Sequence, residues 1–167
     1  MNLPFEQSVE LHGTTVLRVC RAILGPGTDA DDAWSETFLA AMKAWPELDD
    51  STNVEAWLVR VSHHKAVDIT RQQARRARVN SSVPPEELTH YEGEGASVSN
   101  GEASLVDCDL WALVEALPIR QREAIAYHFL GGLSHAETAA LTGSNPDAVR
   151  RAAADGMKKL RKIYDDE

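Results

Sequence analysis

The sequence predicts an all-α protein of two small helical domains joined by a flexible acidic linker, with a helix-turn-helix in the C-terminal domain. Three observations predict it. Apolar residues recur at helical spacing on both sides of the middle of the chain, and no stretch alternates as a strand would. The middle itself, "SSVPPEELTHYEGEGASVSNGEASLVDCD" at 81–109, mixes Ser, Gly, Pro and Glu and has little to bury. Further on, "GSNPDAVRR" sets a turn glycine, a capping asparagine and a proline ahead of a helix. The expected division is therefore a helical domain at 1–80, a linker at 81–109 and a helix-turn-helix domain at 110–167.

In the first domain, one helix is expected from about Phe5 to Leu24, stopped by "GPG". A second is expected to start at Thr28 as N-cap, with Asp31 three residues on, and to end at Pro46. Its apolar stripe reads Ala30, Trp34, Phe38, Ala41, Met42 and Trp45. Asp32, Glu36, Leu39 and Lys43 fall on the opposite face. Leu39 among those charges is either an interaction spot or an ordinary surface leucine. A third helix is expected from near Thr52–Asn53, turning Val54, Trp57, Leu58 and Val61 inward. Its other face lines up Arg60, His64, Val67, Arg71 and Arg78. Residues 60–78 hold 6 Lys/Arg against Asp68 alone, net +5. Such a face is either simply solvated or a phosphate contact.

After the linker, "SLVDCDLWALVEAL" reads as a helix, and Pro118 suits position N1 of the next, which runs to about Leu130 before Gly131–Gly132. Ser134 and Glu137 form a capping box for a short helix to Leu141. Gly143 makes the turn, Asn145 caps the last helix and Pro146 is its N1. A helix-turn-helix needs a small residue at the crossing, a glycine turn and an apolar lock. Ala139, Gly143 and Val149 supply these at spacings of four and six. Thr138, Ser144 and Ala152 then point inward, and Asn145, Asp147, Arg150 and Arg151 point outward, where they can reach base edges and phosphates. Gly156 inside a helix costs about 1 kcal/mol against Ala, which close packing would justify.

Charge and composition narrow the function. The formal charge is −9, yet 1–80 carries net −2, 110–167 net 0, and 81–109 net −7 with no Lys or Arg. Most of the excess acid thus sits in the linker, away from the two basic faces. Cys20 and Cys108 lie outside any CxxC pattern and read as reduced thiols. "MNLPFEQSVELHG" lacks the basic start and apolar run of a signal peptide, and no window reads as a membrane span, so a soluble cytoplasmic protein is expected. His63 and His64 are adjacent and point about 100° apart on a helix. With no HExxH, phosphate loop or carboxylate pair, no catalytic residue, metal site or cofactor is expected.

Taken together, the two halves resemble the extracytoplasmic-function (ECF) sigma factors of bacterial RNA polymerase over nearly the whole chain. "DADDAWSETFLAAMKAW" is similar to the family's polymerase-binding helix, and "NVEAWLVRVSHHKAVDITRQQARR" to its promoter-melting helix. "LWALVEALPIRQREAIAYHFLGGLSHAETAALTGSNPDAVRR" resembles its second DNA-binding domain. The resemblance implies core RNA polymerase and promoter DNA as partners, and leaves room for an anti-sigma factor. It assigns Asp32, Glu36 and Leu39 to the polymerase, and Arg60, His63, His64 and Arg71, with the loop Glu47–Asn53, to the minus-10 element. Asn145, Asp147, Arg150 and Arg151 match its minus-35 reader. The linker matches the segment that the family threads toward the RNA exit channel. His64 departs from the asparagine usual there, and "RRAAADGMKKLR" is smaller than the family's basic, bulky helix. The competing readings are a stand-alone helix-turn-helix regulator and a pure interaction module.

Overall fold

The computed structural model describes residues 3–80 and 105–165, the side chains of 80, 105–109 and 164 excepted. Most of the expected linker, 81–104, lies outside the described residues. Among the described residues every regular element is helical: α1 (Phe5–Leu24), α2 (Thr28–Ala44) with a 3-10 turn (Trp45–Glu47), α3 (Val54–Asn80), α4 (Leu105–Glu115), α5 (Ile119–Ala124) continuing into a π-helical stretch (Ile125–Leu130), α6 (His135–Thr142) and α7 (Pro146–Asp165).

In the first unit α1, α2 and α3 pack around Val16, Cys20, Ala30, Ala33, Phe38 and Leu58. Two details differ from the sequence reading. Thr28 is the first helical residue of α2, and extended Gly27 is its N-cap. The inward face of α2 is also rotated: Ala33 and Thr37 are fully buried, while Met42 is 49% exposed. Small side chains let α2 lie close to its neighbours, and the Thr37 hydroxyl donates to the Ala33 carbonyl at 2.6 Å, so its burial leaves no orphan. Burial, and to a lesser degree Asp31, push the Cys20 thiol up to about 12, which makes it an inert packing residue.

In the second unit, Pro118 is the N-cap of α5 rather than its first residue. The following helix also widens. The Gly131 amide donates to the Ala126 carbonyl, five residues back, at 2.8 Å. The expected capping box is present: the Ser134 hydroxyl accepts from the Glu137 amide and the Glu137 carboxylate from the Ser134 amide. Gly143 closes α6 in the left-handed region, at φ 70°, and Asn145 Oδ1 accepts from the Ala148 amide at the start of α7. Ala139 and Val149 are buried together, as the motif requires. Gly156 is also explained: a Cβ there would sit 2.7 Å from Ile125 Cδ1. Nothing lies within 4 Å of a Cβ at Gly143, so only its backbone resists substitution. Gly143→Ala is expected to lower stability by about 1–2 kcal/mol, read as a lower urea midpoint at unchanged slope.

The sequence carried no signal for what joins the two units. They share one apolar cluster, in which Val19, Ala56 and Val59 of the first unit meet Trp111, Ile125 and Tyr127 of the second. α3 therefore has two inward faces, Leu58 toward α1 and α2 and Val59 toward the second unit. Arg122 adds a polar tie, donating to the Ile23 carbonyl at 3.0 Å.

Candidate nucleic-acid interface

Three surfaces carry the expected site residues. The first is the outer face of α2. Asp32, Glu36 and Leu39 are all exposed there, Leu39 at 55%. Glu36, Leu39, Ala40, Lys43, Ala44 and Lys65 line a shallow groove of about 580 Å³. Lys65, from α3, lies 4.0 Å from the Glu36 carboxylate. Met42, one turn from Leu39, joins it as exposed apolar surface; the sequence pattern had placed it inside.

The second surface is α3, and it is divided. His64 and Arg71 are exposed. Asn53 caps the helix, its side-chain oxygen accepting from the Ala56 amide at 3.1 Å. Arg60 and His63 instead face the second unit. The Arg60 guanidinium lies 3.6 Å from the Glu137 carboxylate. His63 Nδ1 is 2.6 Å from the Tyr127 hydroxyl, and the two rings meet edge-on with centroids 5.1 Å apart. Burial first, and then the neighbouring His64, hold the His63 imidazole below its ordinary value, so it is neutral at pH 7. Burial also raises the Tyr127 phenol, which keeps its proton. Tyr127 and Glu137 were missed as partners in the sequence because their contacts with α3 cross more than sixty positions. Arg60, His64, Ala136, Glu137, Ala140 and Leu141 line a cleft of about 570 Å³ between α3 and α6.

The third surface is the start of α7. Asn145, Asp147, Arg150 and Arg151 are all exposed, as the helix-turn-helix spacing requires. Asp147 organises the two arginines: its carboxylate accepts from Arg150 Nη1 at 2.9 Å, and its backbone carbonyl from Arg151 Nε at 3.5 Å. Asn145 is committed in part to capping. Among the described residues no cluster of three or more His, Cys, Asp or Glu could hold a metal ion, and no helix is long and apolar enough to cross a membrane.

The basic helix and the helix-turn-helix belong to the two regions of a Sigma-70 protein. Residues 9–76 match Sigma-70 region 2, and residues 109–160 match Sigma-70, region 4. The chain belongs to the ECF RNA polymerase sigma factors. It is 32% identical over 152 residues to the ECF RNA polymerase sigma factor SigD of Mycobacterium tuberculosis, an alignment covering 87% of this chain and 70% of that one. The RNA polymerase sigma factor NccH of Alcaligenes xylosoxydans xylosoxydans is 30% identical over 159 residues, covering 93% and 84%. The fold is similar to that of the sigma factor RpoE of Bartonella quintana, solved in complex with the anti-sigma factor NepR: TM-score 0.74, 18% identity, 96% of each chain covered. The protein is thus a sigma factor, which binds core RNA polymerase and promoter DNA in transcription initiation. The stand-alone regulator is not favoured, because such a protein needs no region 2.

Proposed function

We propose that this sigma factor divides its work among the three surfaces. Asp32, Glu36 and Leu39 grip core polymerase; Arg60, His63, His64 and Arg71, with Asn53, serve the minus-10 element; and Asn145, Asp147, Arg150 and Arg151 read the minus-35 element. The observation that carries this reading is the exposed Asp147–Arg150–Arg151 group at the start of α7, directly after the glycine turn. Such a group enters a major groove when the preceding helix crosses the backbone. The matching division of the chain is 1–80, 81–109 and 110–167. The protein acts without catalysis of its own, in the cytoplasm, where its polymerase is. An anti-sigma factor is a further partner, in line with the complex in which the Bartonella quintana relative was solved.

The test is to map RNA 5′ ends made by core polymerase with and without this chain. New start sites sharing one pair of upstream elements support the reading; none would defeat it. On a promoter found this way, Arg150→Ala and Arg151→Ala are each expected to weaken holoenzyme binding. A base-reading arginine is worth roughly 1–3 kcal/mol of discrimination, whereas a phosphate-binding one lowers all sequences alike and flattens the salt dependence. Unchanged binding in both variants would remove α7 as the reader.

A further inference from the structure

Beside the minus-35 reader stands a pair of histidines that no assigned role uses. His128, in the π-helical stretch, and His135, the first residue of α6, stack with ring centroids 3.9 Å apart and planes 20° from parallel. Phe129, 52% exposed, meets the His128 ring edge-on at 5.1 Å. His128 Nδ1 lies 2.7 Å from the Leu133 carbonyl. A carbonyl only accepts, so Nδ1 carries the hydrogen of this bond. His135 follows the N-cap Ser134, on the helix that crosses the DNA backbone in this motif. Across from the stack, α7 brings the Arg150 charge to bear on His135, and Arg150 is in turn paired with Asp147.

We infer that the His128–His135 stack is a phosphate contact flanking Arg150, one that takes up a proton when promoter DNA binds. Two features set how it works. The rings lie face to face, so two charges on them would repel at close range, and the charge gained on binding is a single one, on His135. In the free protein, desolvation first, then the His128 and Arg150 charges, lower His135 below its ordinary value, so its ring is neutral at pH 7. A backbone phosphate opposes that shift by favouring the charged ring. The imidazole value is then higher in the complex than in the free protein. Binding is strengthened below the bound-state value and loses this contribution as pH rises through it.

The inference rests on α7 being the DNA reader, and the experiment separates the two claims. Holoenzyme made with the full chain is titrated onto one mapped promoter duplex between pH 6 and pH 8 at fixed salt. The variants are His135→Gln, His128→Gln with His135→Gln, and, separately, Arg150→Ala and Arg151→Ala. One-proton uptake raises affinity by up to about tenfold per pH unit crossed. Wild-type affinity is expected to rise on acidification by more than that of either histidine variant. At pH 6 the variants are expected to show a log–log salt slope shallower by about 1. The same pH rise and slope in the variants would overturn the proposal while a weakened Arg150→Ala holoenzyme kept the reader in place. Arg150→Ala and Arg151→Ala holoenzymes that both bind normally would overturn the reader and this proposal with it. Should the double variant melt early, His135→Gln carries the test, since His135 lies outside the buried clusters.

Discussion

Leu39→Asp combined with Glu36→Arg is expected to abolish copurification with core polymerase while leaving the helical fold unchanged. Both side chains stand on the outer face of α2 and take no part in its buried face, which consists of Ala30, Ala33, Thr37, Phe38 and Ala41. The substitution breaks the ion pair of Glu36 with Lys65, but at 4.0 Å, between an exposed and a partly exposed group, that pair contributes little. Leu39 and Met42 are the apolar surface of this face, ringed by Glu36, Lys43 and Lys65. An apolar anchor at the centre of an interface is typically worth 2 kcal/mol or more, so an aspartate there with a reversed charge beside it removes at least about thirtyfold in affinity. Circular dichroism checks the fold, and pull-down of core enzyme checks the contact. A double variant that still copurifies would move the polymerase contact off α2.

Tyr127→Ala is expected to part the two units. The ring is 1% exposed and sits where α3 meets the π-helical stretch, with its hydroxyl on His63. Removing a buried aromatic side chain costs about 3–5 kcal/mol, through the burial forgone and the cavity left behind. Each unit retains its own packing, α1 with α2 and α3 on one side and α6 with α7 on the other. Helix content by circular dichroism should therefore persist while the radius of gyration in small-angle scattering rises. Arg60 and His63 would be released, and the free chain should bind DNA more tightly than wild type. An unchanged radius would refute this role for Tyr127. Acid should act in the same direction. His63 is held below its ordinary value of 6.5 in the packed state, so the contact is at full strength above that pH and weakens as pH falls below it.

This packing refines the expectation, set by the acidic linker, that the free protein binds promoter DNA weakly. Repulsion by net −7 within 81–109 is one cause. The structure adds another: two of the residues expected to serve the minus-10 element, Arg60 and His63, already contact Glu137 and Tyr127. Polymerase would have to draw them away.

What the sequence determined by itself was local. Helix starts and stops follow from groups within a few residues of each other: the Ser134–Glu137 capping box, the Gly143 turn, the Asn145 cap and the glycine that ends α1 are all where the sequence put them. The helix-turn-helix was legible for the same reason, since its crossing, turn and lock fall within ten positions. The exposure of Leu39, Arg150 and Arg151 followed from helical period alone. Tertiary structure decided the rest. A stripe of apolar residues gives the direction of burial to within about one residue's rotation, so the choice between Met42 and the smaller Ala33 and Thr37 waited on how closely α2 lies to α1 and α3. Gly131, at the end of the widened helix Ile125–Leu130, lies against Val59, some seventy positions away, where a Cβ would sit 3.0 Å from Val59 Cγ1. The joining of the two units depended on α1 and α3 each having a second buried face, with α1 packing against α4, α5 and the π-helical stretch. No periodicity announces such a face, because Val59 and Leu58 are neighbours on one helix and turn to different partners. Backbone hydrogen bonds and caps are settled by the chain within a turn. Which apolar face meets which is settled by the total surface removed from water, and that quantity exists only once distant segments are brought together.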